Sequence, residues 1–193
     1  MSLLGIDIGT TGCKAIVFDT YGKMLASSYK EYGLIISKEG LVEYDPEEVL
    51  KSIKAIIKGV NSNPQVIKDP IEAFSLSVSG DEVLPVNKNG KALYNMICSL
   101  DSRGIEENLA ICEKVGVKNL YDITGLPPSN MYALNRILWF KSNAGEIYDN
   151  ISTICPSYDV ALCKLSLSTA LDSFGTADKY LDLALEEMKK LGW

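Results

Sequence analysis

A chain of 193 residues with 47% hydrophobic side chains can bury a full core as one large domain or two small ones, which sets aside disorder, collagen and coiled coil. Its 19 basic and 25 acidic residues give a net charge of −6, which argues against nucleic acid or an anionic membrane surface as the main partner. There is no histidine, so Ser–His–Asp and Cys–His catalysis, an imidazole base and His-ligated zinc or haem are excluded within the chain.

The first 30 residues predict three consecutive antiparallel strands. Residues 3–8 are an apolar run broken by Asp7, and Thr10-Thr11-Gly12 is turn material. Residues 14–19 carry Ala-Ile-Val-Phe, Tyr21-Gly22-Lys23 marks a second turn, and residues 24–29 alternate loosely. Residues 32–43 read as strand or loop. Asp45-Pro46-Glu47-Glu48 is a helix start: Asp45 can cap, Pro46 suits the first helical position, and Glu48 can bond back to the cap. Val49, Leu50, Ile53, Ile56, Ile57 and Val60 then share one helical face, opposite Lys51, Lys54 and Lys58, and Gly59 can end the helix. Tyr44 is expected to staple against it.

Residues 61–70 read as a loop and 71–78 as a buried strand. Residues 83–86 and 92–97 flank Asn87-Lys88-Asn89-Gly90, a hairpin turn whose residues tolerate positive φ. Helical patterns follow at about 103–115, 130–141, 157–165 and 178–190. No repeat or linker divides the chain, which reads as one domain. Cys13, Cys98, Cys112, Cys155 and Cys163 form no CxxC pair and read as reduced thiols packed as small hydrophobes. The opening MSLLGIDIG is too short and turn-rich for a secretory segment, and no apolar run approaches the roughly 18 residues of a membrane helix, so a cytoplasmic location is expected.

The most informative stretch is Gly5-Ile6-Asp7-Ile8-Gly9-Thr10-Thr11-Gly12-Cys13-Lys14. It reads as strand, tight turn, strand. Successive backbone amides and two hydroxyls at Gly9, Thr10, Thr11 and Gly12 suit phosphate oxygens, and Lys14 adds a cation for them. Asp7 at the strand end suits a hydrated Mg²⁺ held through water. The plain alternative is a Gly-rich hairpin, but an aspartate in an apolar strand is costly without a partner. The spacing is neither that of a P-loop nor that of a dinucleotide fingerprint. A second polar group comprises Asp81 and Glu82 after the strand at 71–78, and Asp101 and Arg103 after the hairpin. Ionised acceptors take hydrogen bonds from pairs of hydroxyls, so the carboxylates of Asp81, Glu82 and Asp101 suit a neutral polyol, with Arg103 as a donor beside them; each carboxylate taken singly also reads as a solvated surface charge. Adjacent strand residues face opposite ways, which favours Glu82 over Asp81; Arg103 can also simply pair with Asp101.

The run GIDIGTTGCKAIVFD resembles the first phosphate motif of the actin-like ATPase superfamily. Ser79-Gly80-Asp81-Glu82, the hairpin, Asp101-Ser102-Arg103, Thr124-Gly125-Leu126-Pro127 and Asn135-Arg136-Ile137-Leu138-Trp139 follow in the order seen in the FGGY carbohydrate kinases, and the likeness extends to about residue 165. The resemblance implies an α/β, ribonuclease-H-like domain with a mixed five-stranded sheet and flanking helices. It implies ATP and Mg²⁺, phosphoryl transfer to a sugar or polyol, and a second, C-terminal kinase domain that holds the catalytic base beyond residue 193. The chain alone is then expected to bind sugar weakly and to turn over nothing; a homodimer is left open. Departures leave the sugar unassigned. Commoner xylulokinases carry a His-containing tip where Gly80-Asp81-Glu82-Val83 stands. Glycerol kinases match at Glu82 but have arginine in place of Asp81 and tyrosine in place of Met131, and the family's tryptophan before the D-x-R pair is replaced here by Ser99. Two other readings are a different actin-like ATPase, whose cluster-ligating cysteine motif is not supported here, and a non-catalytic sugar-binding module of the same fold.

Overall fold

Three strands run antiparallel from the N-terminus, β1 (Ser2–Ile8), β2 (Gly12–Asp19) and β3 (Met24–Glu31), as the alternation and turns predict. The computed structural model describes residues 1–37 and 39–155, all within one compact unit. Predicted helices at 157–165 and 178–190, and Cys163, lie outside the described residues. Two short antiparallel strands follow, β4 (Ile35–Ile36) and β5 (Val42–Tyr44). Then come α1 (Pro46–Asn61), α2 (Pro64–Lys68) and β6 (Ile71–Val78). β6 lies parallel to β1, so the sheet order is β3-β2-β1-β6: a mixed sheet with four strands among the described residues, against the five expected.

The period-2 pattern sets which face is covered. Leu4, Ile6 and Ile8 on β1 and Cys13, Ala15 and Val17 on β2 are at most 4% exposed, whereas Leu3 is 40% exposed on the other face. α1 packs on β2 and β3 through Val49, Leu50, Ile53, Ile56, Ile57 and Val60. Each such side chain contributes about 1.5–3 kcal/mol on full burial. Asp45 caps α1 as expected, but its carboxylate accepts from the Glu47 amide at 2.8 Å. Gly59 does not end the helix, which runs on to Asn61. A Cβ at Gly59 would lie 2.7 Å from Ser28 Oγ and 3.2 Å from Ser28 Cβ, so this glycine lets α1 approach β3 closely.

Two other expectations change. The loop at 61–70 contains α2, started by the same device as α1: Asn63 accepts from the Gln65 amide at 2.9 Å, and Pro64 takes the first position. β6 has the predicted bounds but is not buried: Ile71 alone is, and Phe74 is 42% exposed. It forms the edge of the described sheet, whereas α1 packs chiefly on β2 and β3.

The hairpin forms as β7 (Leu84–Val86) and β8 (Met96–Ile97) with bridges Val83↔Ile97 and Val86↔Ala92. Its turn is tied by Asn87 Oδ1, which accepts from the Asn89 and Lys91 amides, and Gly90 takes φ +70°. The helices are α3 (Ile105–Val115), α4 (Val117–Thr124), α5 (Ala133–Asn143) and α6 (Gly145–Asp149), and β9 (Thr153–Cys155) pairs with β7. α4 was not foreseen. It is a two-turn helix bounded by Gly116 and by Gly125 in the left-handed conformation. Val83, Ile97 and Phe140 form a second core under the hairpin and α5, with Trp139 against it. No helix among the described residues is long and apolar enough to cross a membrane.

Candidate functional site

The Gly9–Gly12 turn closes with a bond from the Gly9 amide to the Gly12 carbonyl at 2.9 Å. Tyr32 braces it from behind: its hydroxyl donates to the Gly9 carbonyl and its amide to the Thr11 carbonyl at 3.2 Å. Three of the four turn carbonyls, those of Gly9, Thr11 and Gly12, are thus taken by internal donors, which keeps their negative ends away from an incoming phosphate. Thr11 is exposed, while the Thr10 hydroxyl bonds to Tyr44. Gly12 is required for a reason the sequence does not show. A Cβ there would lie 2.8 Å from both the Lys30 carbonyl and the Tyr29 hydroxyl, so the constraint is the packing of β3 rather than a ligand. At Gly9 a Cβ meets only the Gly12 carbonyl at 3.5 Å and Asp7 Oδ2 at 3.8 Å.

Asp7 and Lys14 are exposed directly opposite each other across the β1–β2 pair, at the end of the sheet that carries the turn. Among the described residues no three acidic or cysteine side chains gather as a metal cage. Mg²⁺ usually takes one or two carboxylates, water and substrate phosphates instead, and an exposed Asp7 beside a phosphate-suited turn fits that donor set.

β6 runs parallel beside β1, so its end at Val78 delivers residues 79–82 to the same edge as the turn. The Ser79 amide donates to the Ile8 carbonyl at 3.1 Å, and Ser79 Oγ donates to Glu82 Oε1 at 2.6 Å. Glu82 is 3% exposed, and Tyr44 also donates to Oε1 at 3.4 Å. Asp81 is exposed and takes φ +60°, the one non-glycine residue at positive φ among the described residues. The strand has ended before Asp81 and Glu82, so strict alternation no longer separates them.

Tyr44, expected as a helix staple, has polar partners of its own. It is 1% exposed, its hydroxyl lies 3.1 Å from Cys98 Sγ, and its ring meets that of Tyr32 edge-on at 5.9 Å. Tyr32, Tyr44, Ser79 and Cys98 therefore connect the Gly-rich turn to Glu82, a link with no short-range sequence signal because its parts are up to 66 positions apart.

Asp101 and Arg103 form a separate buried cluster. Arg103 Nε and Nη2 donate to the two Asp101 oxygens at 2.6 and 3.0 Å, and Nη2 also reaches Glu43 Oε1 at 2.5 Å. The Val42 amide takes Asp101 Oδ2 at 2.5 Å, and Asn95 donates to Glu43 at 2.9 Å. The guanidinium lies 4.6 Å from the Trp139 ring centroid and 5.7 Å from that of Tyr94. Burial lowers the Arg103 pKa, but hydrogen bonds to Asp101 and Glu43 outweigh it and leave it raised. The Asp101 and Arg103 side chains are 0% and 1% exposed, so in this geometry they meet each other and not a ligand. The local Asp-x-Arg spacing, with Glu43, satisfies the charges of the two side chains for which a sugar contact is expected.

Burial also raises the pKa of the Cys13 thiol, to about 11, and those of Tyr32 and Tyr44; Cys13 and Glu82 add to the rise at Tyr32, and Cys98 and Glu82 at Tyr44. A folded-state pKa above the unfolded one contributes stability that is full below the unfolded value and lost as pH rises through the folded one. The unfolding midpoint in urea is therefore expected to fall from about pH 9 upward. Cys13→Ala should flatten the segment between pH 9 and 11; an unchanged slope in that variant would rule out the thiol as its source. Cys13, Cys98, Cys112 and Cys155 are all free of disulfides, as expected for reduced thiols.

A mixed sheet with flanking helices, whose parallel strands end together at a Gly-rich turn and a carboxylate tip, defines a domain of the actin-like ATPase class. The model of the N-terminal domain of the FGGY family of carbohydrate kinases matches residues 2–187, and the chain belongs to that family. It is 32% identical over 146 residues to a glycerol kinase of Caldanaerobacter subterraneus subsp. tengcongensis, covering 73% of this chain and 29% of the relative. It is 25% identical over 152 residues to a xylulose kinase of Lactococcus lactis, covering 79% and 30%. Its fold matches the gluconate kinase of Lactobacillus acidophilus with a TM-score of 0.76 at 26% identity, over 82% of this chain and 32% of that one. A xylulose kinase of Rhodospirillum rubrum shares the fold at TM-score 0.81 and 19% identity, over 86% and 34%. The chain thus spans under a third of the curated relatives it matches.

Proposed function

We propose that this chain supplies the sugar-binding half and the first phosphate loop of an ATP-dependent kinase acting on a hydroxyl of a sugar or polyol. The observation that carries the reading is the junction at Ser79. One residue bonds both to the last carbonyl of β1, just before the Gly-rich turn, and to Glu82, so a phosphate on the turn and a hydroxyl at Glu82 would be neighbours. Family membership and relatives named for glycerol, xylulose and gluconate support the substrate class. A Plasmodium falciparum glycerol kinase of the same fold was solved with ADP, which supports the use of ATP.

In this reading Gly9, Thr10, Thr11, Gly12 and Lys14 bind phosphate oxygens. Asp7 holds Mg²⁺ through water, and the ion supplies neutralising charge to the phosphates. Asp81 and Glu82 accept hydrogen bonds from substrate hydroxyls, each charge-assisted bond contributing about 1.5–3 kcal/mol. Asp101 and Arg103 act from behind by fixing Val42 and Glu43 on β5, just before α1. The base that takes the hydroxyl proton belongs to the rest of the kinase, so the chain alone binds sugar weakly and phosphorylates nothing. The chain covers under a third of these relatives, which supports a kinase with more than this one domain.

Titration of the labelled chain with glycerol, D-xylulose and D-gluconate, followed by amide NMR, tests this. At least one polyol should shift the amides of residues 80–83, and Glu82→Gln should weaken that binding about tenfold, the equivalent of one charge-assisted bond. Shifts confined to other regions would sink the assignment. Sugar phosphorylation by the 193-residue chain alone would show that it carries its own base.

A further inference from the structure

The left-handed backbone at Asp81 has a visible cause. Arg136, in the first turn of α5, is 0% exposed. Its Nη1 donates to the Asp81 carbonyl and its Nη2 to the Ser99 carbonyl at 3.0 Å, while Nε has no partner among the described residues. Among the described residues no carboxylate is hydrogen-bonded to this guanidinium; Asp101 and Asp81 act on it at a distance, and burial pulls its pKa below the ordinary arginine value. Burying a cation in this way is unfavourable, and a left-handed aspartate is strained. The two features meet at one hydrogen bond. A guanidinium fork suits two carbonyls held at a fixed separation, here the strand tip at residue 81 and the end of the hairpin at residue 99.

We infer that Arg136 is a positioning residue for the sugar site: its buried fork locks Asp81 in the left-handed conformation and thereby sets the direction in which Asp81 and Glu82 present their carboxylates. This rests on the proposed role of those carboxylates. Glu82 follows Asp81 directly, and its Oε1 is held by Ser79 and Tyr44, so a rotation at residue 81 pulls Glu82 away from both donors.

The test uses Arg136→Lys, with Arg136→Met as a second variant, in the whole chain. The readouts are the backbone coupling constants and α-carbon shift of Asp81, together with binding of glycerol, D-xylulose and D-gluconate. Wild type should show the positive-φ signature. Arg136→Lys, which can reach one carbonyl at a time, should show it weakened, with binding weakened about threefold; Arg136→Met should lose it and bind at least tenfold more weakly. Adding Asp81→Gly to Arg136→Lys should return the Glu82 amide toward its wild-type position, because glycine takes positive φ without a brace. A folded Arg136→Lys with an unchanged Asp81 signature and a Glu82 amide that does not move would overturn the inference, leaving Arg136 as packing alone. Wild type that binds none of the three polyols would count against the sugar site itself, while the Asp81 signature still decides what Arg136 does.

Discussion

Arg103→Met is expected to lower the unfolding free energy by about 3–5 kcal/mol, the usual effect of removing one partner from a buried ion pair. Chemical denaturation measures it. The substitution keeps an apolar chain against Trp139 but leaves Asp101 and Glu43 as buried like charges, their side chains 0% and 10% exposed. A domain of ordinary stability holds about 5–15 kcal/mol, so the variant should sit near its unfolding midpoint in mild denaturant. Arg103→Lys should fall between, because an ammonium cannot span both Asp101 oxygens and Glu43 at once. Adding Asp101→Asn and Glu43→Gln to Arg103→Met should recover part of the loss by removing the stranded charges. A loss below about 1 kcal/mol in Arg103→Met would mean that the cluster behaves as a surface pair.

Gly12→Val should cost about 1–3 kcal/mol from overpacking and displace the phosphate turn with it. The new Cβ would overlap the Lys30 carbonyl, and a backbone atom paired in the β2–β3 ladder has little room to move. Tyr29→Phe in the Gly12→Val background removes one of the two overlaps and should restore only part of the stability. Gly9→Ala serves as the comparison, since its Cβ makes ordinary contacts and should leave the denaturation midpoint within about 0.5 kcal/mol of wild type. Equal losses at both positions would show that turn flexibility, not the packing of β3, makes the glycines necessary.

Local signals carried much of the fold. Asp45-Pro46 and the apolar face of α1, the Asn87–Gly90 turn, and the three leading strands each depend on residues a few positions apart, and all formed where the residues placed them. The same chemistry also started α2 at Asn63-Pro64, where the helix was too short to show a periodic face. Gly59 misled because glycine both ends helices and permits close packing, and the choice between these is made by Ser28 on another element. The apolar residues of β6 suggested a buried strand, but burial depends on what lies alongside, and α1 packs chiefly on β2 and β3.

The candidate site divides in the same way. Asp7, the Gly9–Gly12 turn, Lys14, Asp81 and Glu82 were legible as residues because each belongs to a short motif at a strand end, and the order of those motifs was enough to name the family. Which of the four expected sugar contacts faces outward was not legible. Asp101 and Arg103 turn inward because Glu43, 60 positions before Arg103, arrives on β5 to complete their charge balance. The positive φ at Asp81 and its brace from Arg136, 55 positions away, follow from helix α5 packing under the hairpin. Sequence alone determined most of the elements and the inventory of groups proposed for phosphate and hydroxyl binding, because caps, turns and strand periods act over a few residues. Tertiary structure decided which carboxylates are spent on buried cations and which remain at the tip, because a charge is satisfied by whatever the fold brings within hydrogen-bond reach.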